Sequence, residues 1–325
     1  MDIVLRIAII GAGISGLILA VRLSAFAHVT VFEKSRGVGG RMSTRYKTPF
    51  EFDHGAPYFS IENTRFRSFL RGSVDPSFLA EWPNGVDSNT GEKSTSYVSV
   101  PKMTSVCKSL ADSIDVSLQT EIGRIERCGD VWDVIDVSGL SLGRFDWVVS
   151  SAPAPQAAQW MPSEFAGYDV LAGVKMLGVF SLMLGFNEDL SFSVPFRQFQ
   201  NSPVGKVMLN SSKPGRSDAS SIVVQSSTEW AERHMESDRD WVTAQLIEEA
   251  SRLTAMDMSS ADHCSLHRWR YAIPSASANV DYLFDKTEKL AACGDWCLGG
   301  GVEAAFLSAD RLFDAFSENL NFSAS

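Results

Sequence analysis

Paired cysteines are missing from this chain. Its 325 residues hold five, at positions 107, 128, 264, 293 and 297, with no Cys-x-x-Cys and no zinc-type spacing. An odd number in no paired pattern argues for reduced thiols and hence for a cytoplasmic protein. Cys293 and Cys297 are four apart and read either as a redox pair or as two small core residues. Basic charge is also short: 29 Lys and Arg stand against 39 Asp and Glu, a net charge of −10. That balance argues against nucleic acid or an anionic membrane as partner. The five histidines are scattered. There is no His-Glu-x-x-His, no paired His/Cys spacing for a metal and no Gly-x-Ser-x-Gly elbow, so no metal site is expected and no catalytic side chain declares itself. Long apolar runs are absent as well. Ile7–Ala20 comes closest, but three glycines interrupt it, Arg6 and Arg22 lie close on both sides, and no small-residue cleavage site ends it. It is neither a span nor a signal peptide. What remains is an ordinary soluble composition, long enough for two modest domains or one elaborated domain. Oligomeric state is not legible.

What is present begins at Arg6-Ile-Ala-Ile-Ile-Gly11-Ala-Gly13-Ile-Ser-Gly16. Arg6–Ile10 predicts a buried strand and Gly11 the tight turn out of it. Gly13 lacks a Cβ, so a pyrophosphate can approach the main chain there, and Gly16 lets the following helix pack close to the sheet. That helix, from about Ser15 to Ala25, points its positive end at the phosphates, with Ile14 and Ser15 in its first turn. Val29–Phe32 predicts the second strand. Glu33, 22 positions after Gly11, is placed to accept bonds from both ribose hydroxyls. Strand, glycine turn, helix and acid together predict a site for the AMP half of a dinucleotide.

Three further stretches exceed a minimal NAD motif. Lys34-Ser-Arg36-Gly37-Val-Gly39-Gly40-Arg41-Met42 is a second glycine run, where the backbone can pass beneath a larger cofactor and Arg41 can reach pyrophosphate or ribitol oxygens. Phe52-Asp53-His54-Gly55-Ala56-Pro57-Tyr58-Phe59 offers Gly55 and Ala56 for close packing on a flat ring. Near the end, Cys293-Gly294-Asp295-Trp296 precedes Gly299-Gly-Gly301-Val302-Glu303. This reads as strand, turn, glycine run and a helix starting near Val302, whose free N–H groups would favour negative charge on a reduced flavin ring. Asp295 suits a ribitol hydroxyl or a phosphate-linked water, or else caps the turn.

In their order, Glu33-Lys-Ser-Arg-Gly-x-Gly-Gly-Arg-Met42, Asp53-x-Gly-Ala-x-Tyr-Phe59, Ala152-Pro-Ala-Pro-Gln156, Asn210-Ser-Ser-Lys-Pro214, His267-Arg-Trp-Arg-Tyr271 and Cys293-Gly-Asp-Trp-Cys-Leu298 resemble the FAD-dependent amine oxidase superfamily. Within it, the chain is most similar to the bacterial renalase family, from end to end. The resemblance implies non-covalent FAD, with Ile122 offering its main chain to the adenine and Ser151–Pro153 crossing back over the cofactor. It implies oxidation of the 2- and 6-dihydro isomers of NAD(P)H, with flavin N5 accepting the hydride and dioxygen giving hydrogen peroxide. Losing that hydride restores an aromatic pyridinium, so no base is required. The expected pocket walls are Tyr58, Asn210, Gln225, Trp269, Tyr271 and Trp296, with the two amides on the carboxamide and the aromatics around the pyridine. Two positions depart from the family: Pro57 replaces a Gln, and Gln225 stands where relatives have a His.

The expected fold is α/β: a Rossmann-like FAD-binding domain from residues 1–62, 98–158 and 286–325, and an α+β cap with a mainly antiparallel sheet from 63–97 and 159–285. The cap strands are expected at Val179–Phe186, Lys206–Leu209, Ile222–Gln225 and Leu266–Tyr271, with a helix from Asp238 to Leu253 and the 63–97 aromatics among loops. Two rivals stand beside this reading. A flavin amine oxidase would place a Lys at the start of a cap strand; Lys175 is nearest, but Gly178 is at the matching site. A non-catalytic flavin sensor would use Pro57 to close the pocket.

Overall fold

The computed structural model describes residues 5–83, 96–190 and 195–320. The expected domain ranges therefore include residues 1–4, 84–95, 191–194 and 321–325, which lie outside the described ones. At the centre of a six-stranded sheet is Arg6–Ile10, paired in parallel with His28–Phe32 on one side and Trp147–Ser150 on the other. Asp115–Ser117 and Leu290–Ala292 extend it in parallel, and Leu283–Asp285 closes one edge antiparallel. The period of two along the first strand explains its continuous apolar run. Ile7 and Ile9 face a core shared with helices Ile14–Leu23 and Val302–Leu320. Ala8 and Ile10 face Trp132, Val134 and Phe145 of a three-stranded sheet built from Ile122–Cys128, Val131–Asp136 and Ser141–Phe145. A strand covered on both faces has no polar side to show.

The second sheet is antiparallel. Its five strands run in the order Phe196–Gln198, Val204–Leu209, Ser220–Ser226, Met176–Phe186 and His263–Pro274. One face carries helices Thr228–His234 and Arg239–Thr254 through Phe180, Val207, Val224, Trp230, Val242 and Leu246. From the other face Met183, Met208 and Val223 enter the core of the parallel-sheet part. This is the α/β architecture read from the sequence: a Rossmann-like part and a separate antiparallel sheet. No helix among the described residues is long and apolar enough to cross a membrane.

Two elements differ from expectation. Thr64–Ser73 is a helix, not a loop, because Asn63 caps it by accepting the Arg65 N–H at 2.8 Å and Phe66, Phe69 and Leu70 fall on one face. Phe66 packs on Phe306 of the last helix, with ring centroids 4.7 Å apart. Truncating that fully buried ring to alanine would cost about 3–5 kcal/mol. In the cap helix the apolar spacing would turn Trp241, Val242 and Leu246 inward; Val242 and Leu246 are buried, but Trp241 is 43% exposed and stacks flat on Trp230.

Candidate active site

At the carboxyl end of the first strand the chain turns at Gly11, whose φ of +110° favours glycine. A Cβ on Gly16 would stand 2.2 Å from the Gly11 carbonyl oxygen and 2.4 Å from Ser151 Oγ, so this close approach requires glycine. A Cβ on Gly13 would meet nothing within 4 Å. The backbone is thus bare beside the start of helix Ile14–Leu23, and no side chain caps that helix. Glu33 is buried. Its carboxylate accepts the Ala12 N–H at 2.9 Å and the Ser35 N–H at 2.8 Å, which fixes it beside the glycine turn. The second glycine run joins here too: the Gly39 N–H donates to the Ala12 carbonyl, and a Cβ on Gly40 would approach Gly13 Cα at 3.5 Å.

The C-terminal glycine run is tied to the same place by an ion pair. Arg41 donates from Nη1 to Asp295 Oδ2 at 2.8 Å and from Nη2 to Oδ1 at 2.6 Å, and Nη1 also reaches the Ala272 carbonyl. Asp295 is buried and Arg41 partly so. The Arg41 carbonyl in turn accepts the Ala56 N–H at 2.7 Å and lies so close to Gly55 that a Cβ there would stand 2.0 Å from it. Arg41 therefore links the glycine turns to the segment His54–Tyr58.

The antiparallel sheet lays one polar row against that segment. Residues directly opposite in a ladder share a face. The register pairs His267 with Ser181, Ser181 with Gln225, Gln225 with Lys206, and Lys206 with Gln198. Gln225 Nε2 donates to the Gly55 carbonyl at 2.6 Å, the His267 ring meets the His54 ring edge-on at 4.9 Å, and Lys206 Nζ lies 5.9 Å from the centre of the Tyr58 ring. Two residues along the His267 strand, Trp269 donates from Nε1 to the His54 carbonyl and stacks on its ring. Both histidines are neutral near pH 7. Burial pushes His54 down to about 3, with His267 and Arg45 adding to it. Burial also pushes His267 down to about 4, helped by Arg45 and Arg239.

Beneath the segment lies a charge cluster. Asp53 is fully buried and accepts from Lys213 Nζ at 3.0 Å, Arg216 Nη2 at 2.7 Å and Thr44 Oγ1 at 2.7 Å. Burial alone would raise its carboxyl, but Lys213 and Arg216 outweigh that and hold it well below the ordinary carboxylate range. Burial also pushes the Lys213 ammonium down, since one carboxylate serves two cations.

The remaining expected residues are spread around this frame. Ile14 is buried, and Ser15 Oγ lies 3.3 Å from Cys293 Sγ. Met42 is buried against Cys107, and Lys34 is exposed. Ile122 opens its strand within the core that holds Phe32. Val302 is the first residue of the last helix, and Glu303 accepts the N–H groups of Glu62 and Asn63. Of the expected walls, Tyr58, Gln225 and Trp269 come together. Tyr271 is half-buried on the Trp269 strand. Asn210 is buried with its amide bonded to the Glu51 carbonyl and the Asp53 N–H. Trp296 is fully buried, with no hydrogen-bond partner for Nε1 among the described residues. Lys175 is exposed. Cys293 and Cys297 are buried free thiols, and burial raises Cys293 to about 12. Sequence reading passed over Lys206, Ser181 and the Asp53 cluster. The alternation of strand Val204–Leu209, which puts Lys206 on the face of Met208, was the available signal for the first.

Residues 9–72 match the family model of an NAD(P)-binding Rossmann-like domain. Over 52 residues the chain is 54% identical to a 4,4'-diapophytoene desaturase of Staphylococcus haemolyticus and 50% identical to that of Staphylococcus aureus. These matches cover 16% of this chain and a tenth (10%) of those relatives. The fold extends further. A putative protoporphyrinogen oxidase from an Exiguobacterium species superimposes with a TM-score of 0.78 at 10% identity, covering 97% of this chain and 99% of that one. Putrescine oxidase with bound putrescine gives 0.72 at 12% identity, covering 97% and 100%. The whole chain thus has a fold found in these oxidases, and its first part is a dinucleotide-binding domain.

Proposed function

We propose that this chain is a renalase-like, FAD-dependent oxidase of the amine oxidase superfamily that takes a hydride from the 2- and 6-dihydro isomers of NAD(P)H. The observation that carries the reading is the Arg41–Asp295 pair. A domain for NAD alone needs the first glycine turn and Glu33; here two more glycine runs, one from each end of the chain, converge on the same crevice. The residues fit a long dinucleotide. Glu33 would hold the ribose, the uncapped start of helix Ile14–Leu23 beside bare Gly13 would hold the pyrophosphate, and Arg41 with Asp295 would hold the ribitol end. FAD, when bound, supplies the hydride acceptor and the route to dioxygen, with hydrogen peroxide as product.

The segment His54–Tyr58 and the facing row are chosen by the same logic. Neutral imidazoles, an indole and the Gln225 amide suit an uncharged dihydropyridine with a carboxamide. Gln225 gives its N–H to Gly55, so its Oε1 is the atom left for a carboxamide N–H. Nothing in this chemistry requires a proton to be taken from carbon, so these side chains orient the donor and keep water out. Free thiols at all five cysteines agree with the cytoplasmic setting. The test is turnover in air: 6-dihydro-NAD should disappear with formation of NAD+ and one hydrogen peroxide each. A preparation that holds FAD yet leaves the isomer untouched contradicts the reading.

A further inference from the structure

One charge on the cap sheet has no counter-charge among the described residues. Lys206 stands in the polar row that faces His54–Tyr58, and the other members of that row adjacent to the segment are already engaged. Gln225 bonds the Gly55 carbonyl, and His267 lies against His54 and Arg45. Lys206 has the Tyr58 ring, and among the described residues no carboxylate pairs with it. The contrast with its neighbours is sharp, because Lys213 and Arg216 share Asp53 at 3.0 and 2.7 Å. Burial accordingly lowers the proton affinity of the Lys206 amine. Two positions along the row, Ser181 is fully buried and its Oγ has no hydrogen-bond partner among the described residues.

An ammonium drawn partly out of water is costly unless an anion meets it, and an aromatic face returns only part of that cost. The unsatisfied Ser181 hydroxyl on the same row marks the same surface as one completed by something outside the fold. We propose that Lys206 is a substrate-binding residue that pairs with an anionic group, phosphate or carboxylate, on the molecule held between the cap sheet and His54–Tyr58. The substrate is then an acid or a phosphate ester. A protonated amine would meet a like charge at this wall and be turned away. The assignment rests on the oxidase reading for the position of the pocket, and it deepens that reading by separating a dinucleotide from an amine.

Calorimetry on the FAD-loaded protein tests it, with nicotinamide, nicotinamide mononucleotide and nicotinate as probes of the wild type, Lys206→Met and Lys206→Arg. Charge-assisted bonds predict that the mononucleotide or nicotinate binds at least about ten-fold more weakly to Lys206→Met, and within about three-fold of wild type to Lys206→Arg. Nicotinamide, which has no charge, should bind all three proteins alike. Loss confined to the mononucleotide identifies a phosphate site; loss confined to nicotinate identifies a carboxylate site. Anionic probes that bind Lys206→Met as tightly as wild type overturn the assignment. If no pyridine probe binds the wild type, the nicotinamide reading fails by itself, and benzoate against benzylamine then decides Lys206. Benzoate binding that Lys206→Met loses supports the assignment; preference for benzylamine, or no benzoate binding, overturns it.

Discussion

Arg41 and Asp295, 254 positions apart, meet through two parallel hydrogen bonds of 2.8 and 2.6 Å. The pair joins the loop after strand His28–Phe32 to the turn after Leu290–Ala292, so segments from the two ends of the chain meet at one place. A guanidinium and a carboxylate suit this because their planar forks fix orientation as well as charge.

Asp295→Ala frees Arg41 and removes a carboxylate from the proposed FAD site. FAD affinity should fall roughly ten- to a hundred-fold, the usual effect of losing a charge-assisted pair, with a smaller loss for Asp295→Asn. Flavin fluorescence on dilution measures it. Unchanged retention in Asp295→Ala would show that the pair is structural only.

Gly13 and Gly16 make a contrasting couple. Gly16→Ala drives a methyl into the Gly11 carbonyl and Ser151, so the apoprotein should lose more than about 2 kcal/mol in urea unfolding. Gly13→Ala meets no protein atom, and its backbone, at φ −74°, accepts alanine. Its apoprotein should lose about 1 kcal/mol or less, while FAD binding should weaken strongly, because on the proposed reading the methyl would occupy the pyrophosphate approach. Equal effects of the two substitutions on both measurements would contradict this division.

Asp53→Asn leaves Lys213 and Arg216 buried without their anion and should cost about 3–5 kcal/mol at pH 7. The pH dependence has a definite sign. The folded carboxyl is held below its unfolded value, so its contribution is complete above the ordinary carboxylate range and is lost as pH falls through that range toward the folded value. Urea unfolding of wild type and Asp53→Asn should differ by a constant amount from pH 7 to about 5 and converge below about 4. A difference that grows on acidification would count against the assignment.

Much of this was legible along the sequence because it is local. The strand–glycine–helix turn, Glu33 and the alternating cap strands each lie within one short window, where steric demands and periodicity act directly. Helix Thr64–Ser73 was legible too, in Asn63 followed by Phe66, Phe69 and Leu70, but the surrounding aromatics obscured it. What the sequence could not carry was partnership at a distance. Arg41 and Asp295 were each expected at the cofactor, yet nothing local joins them. Asn210 was expected on a carboxamide, and its amide instead braces the Phe50–Asp53 strand. Lys206 was unremarked because its meaning lies in the register that sets it opposite Gln225.

The central claim is tested most directly by anaerobic mixing of the FAD-loaded protein with borohydride-reduced NAD, which contains the 2-, 4- and 6-dihydro isomers, while flavin absorbance is followed. Purified 4-dihydro-NADH and a panel of amines are run separately. Rapid bleaching by the mixture alone, with colour restored and peroxide released on admitting oxygen, is the predicted result. Bleaching by an amine but not by the mixture would contradict the account.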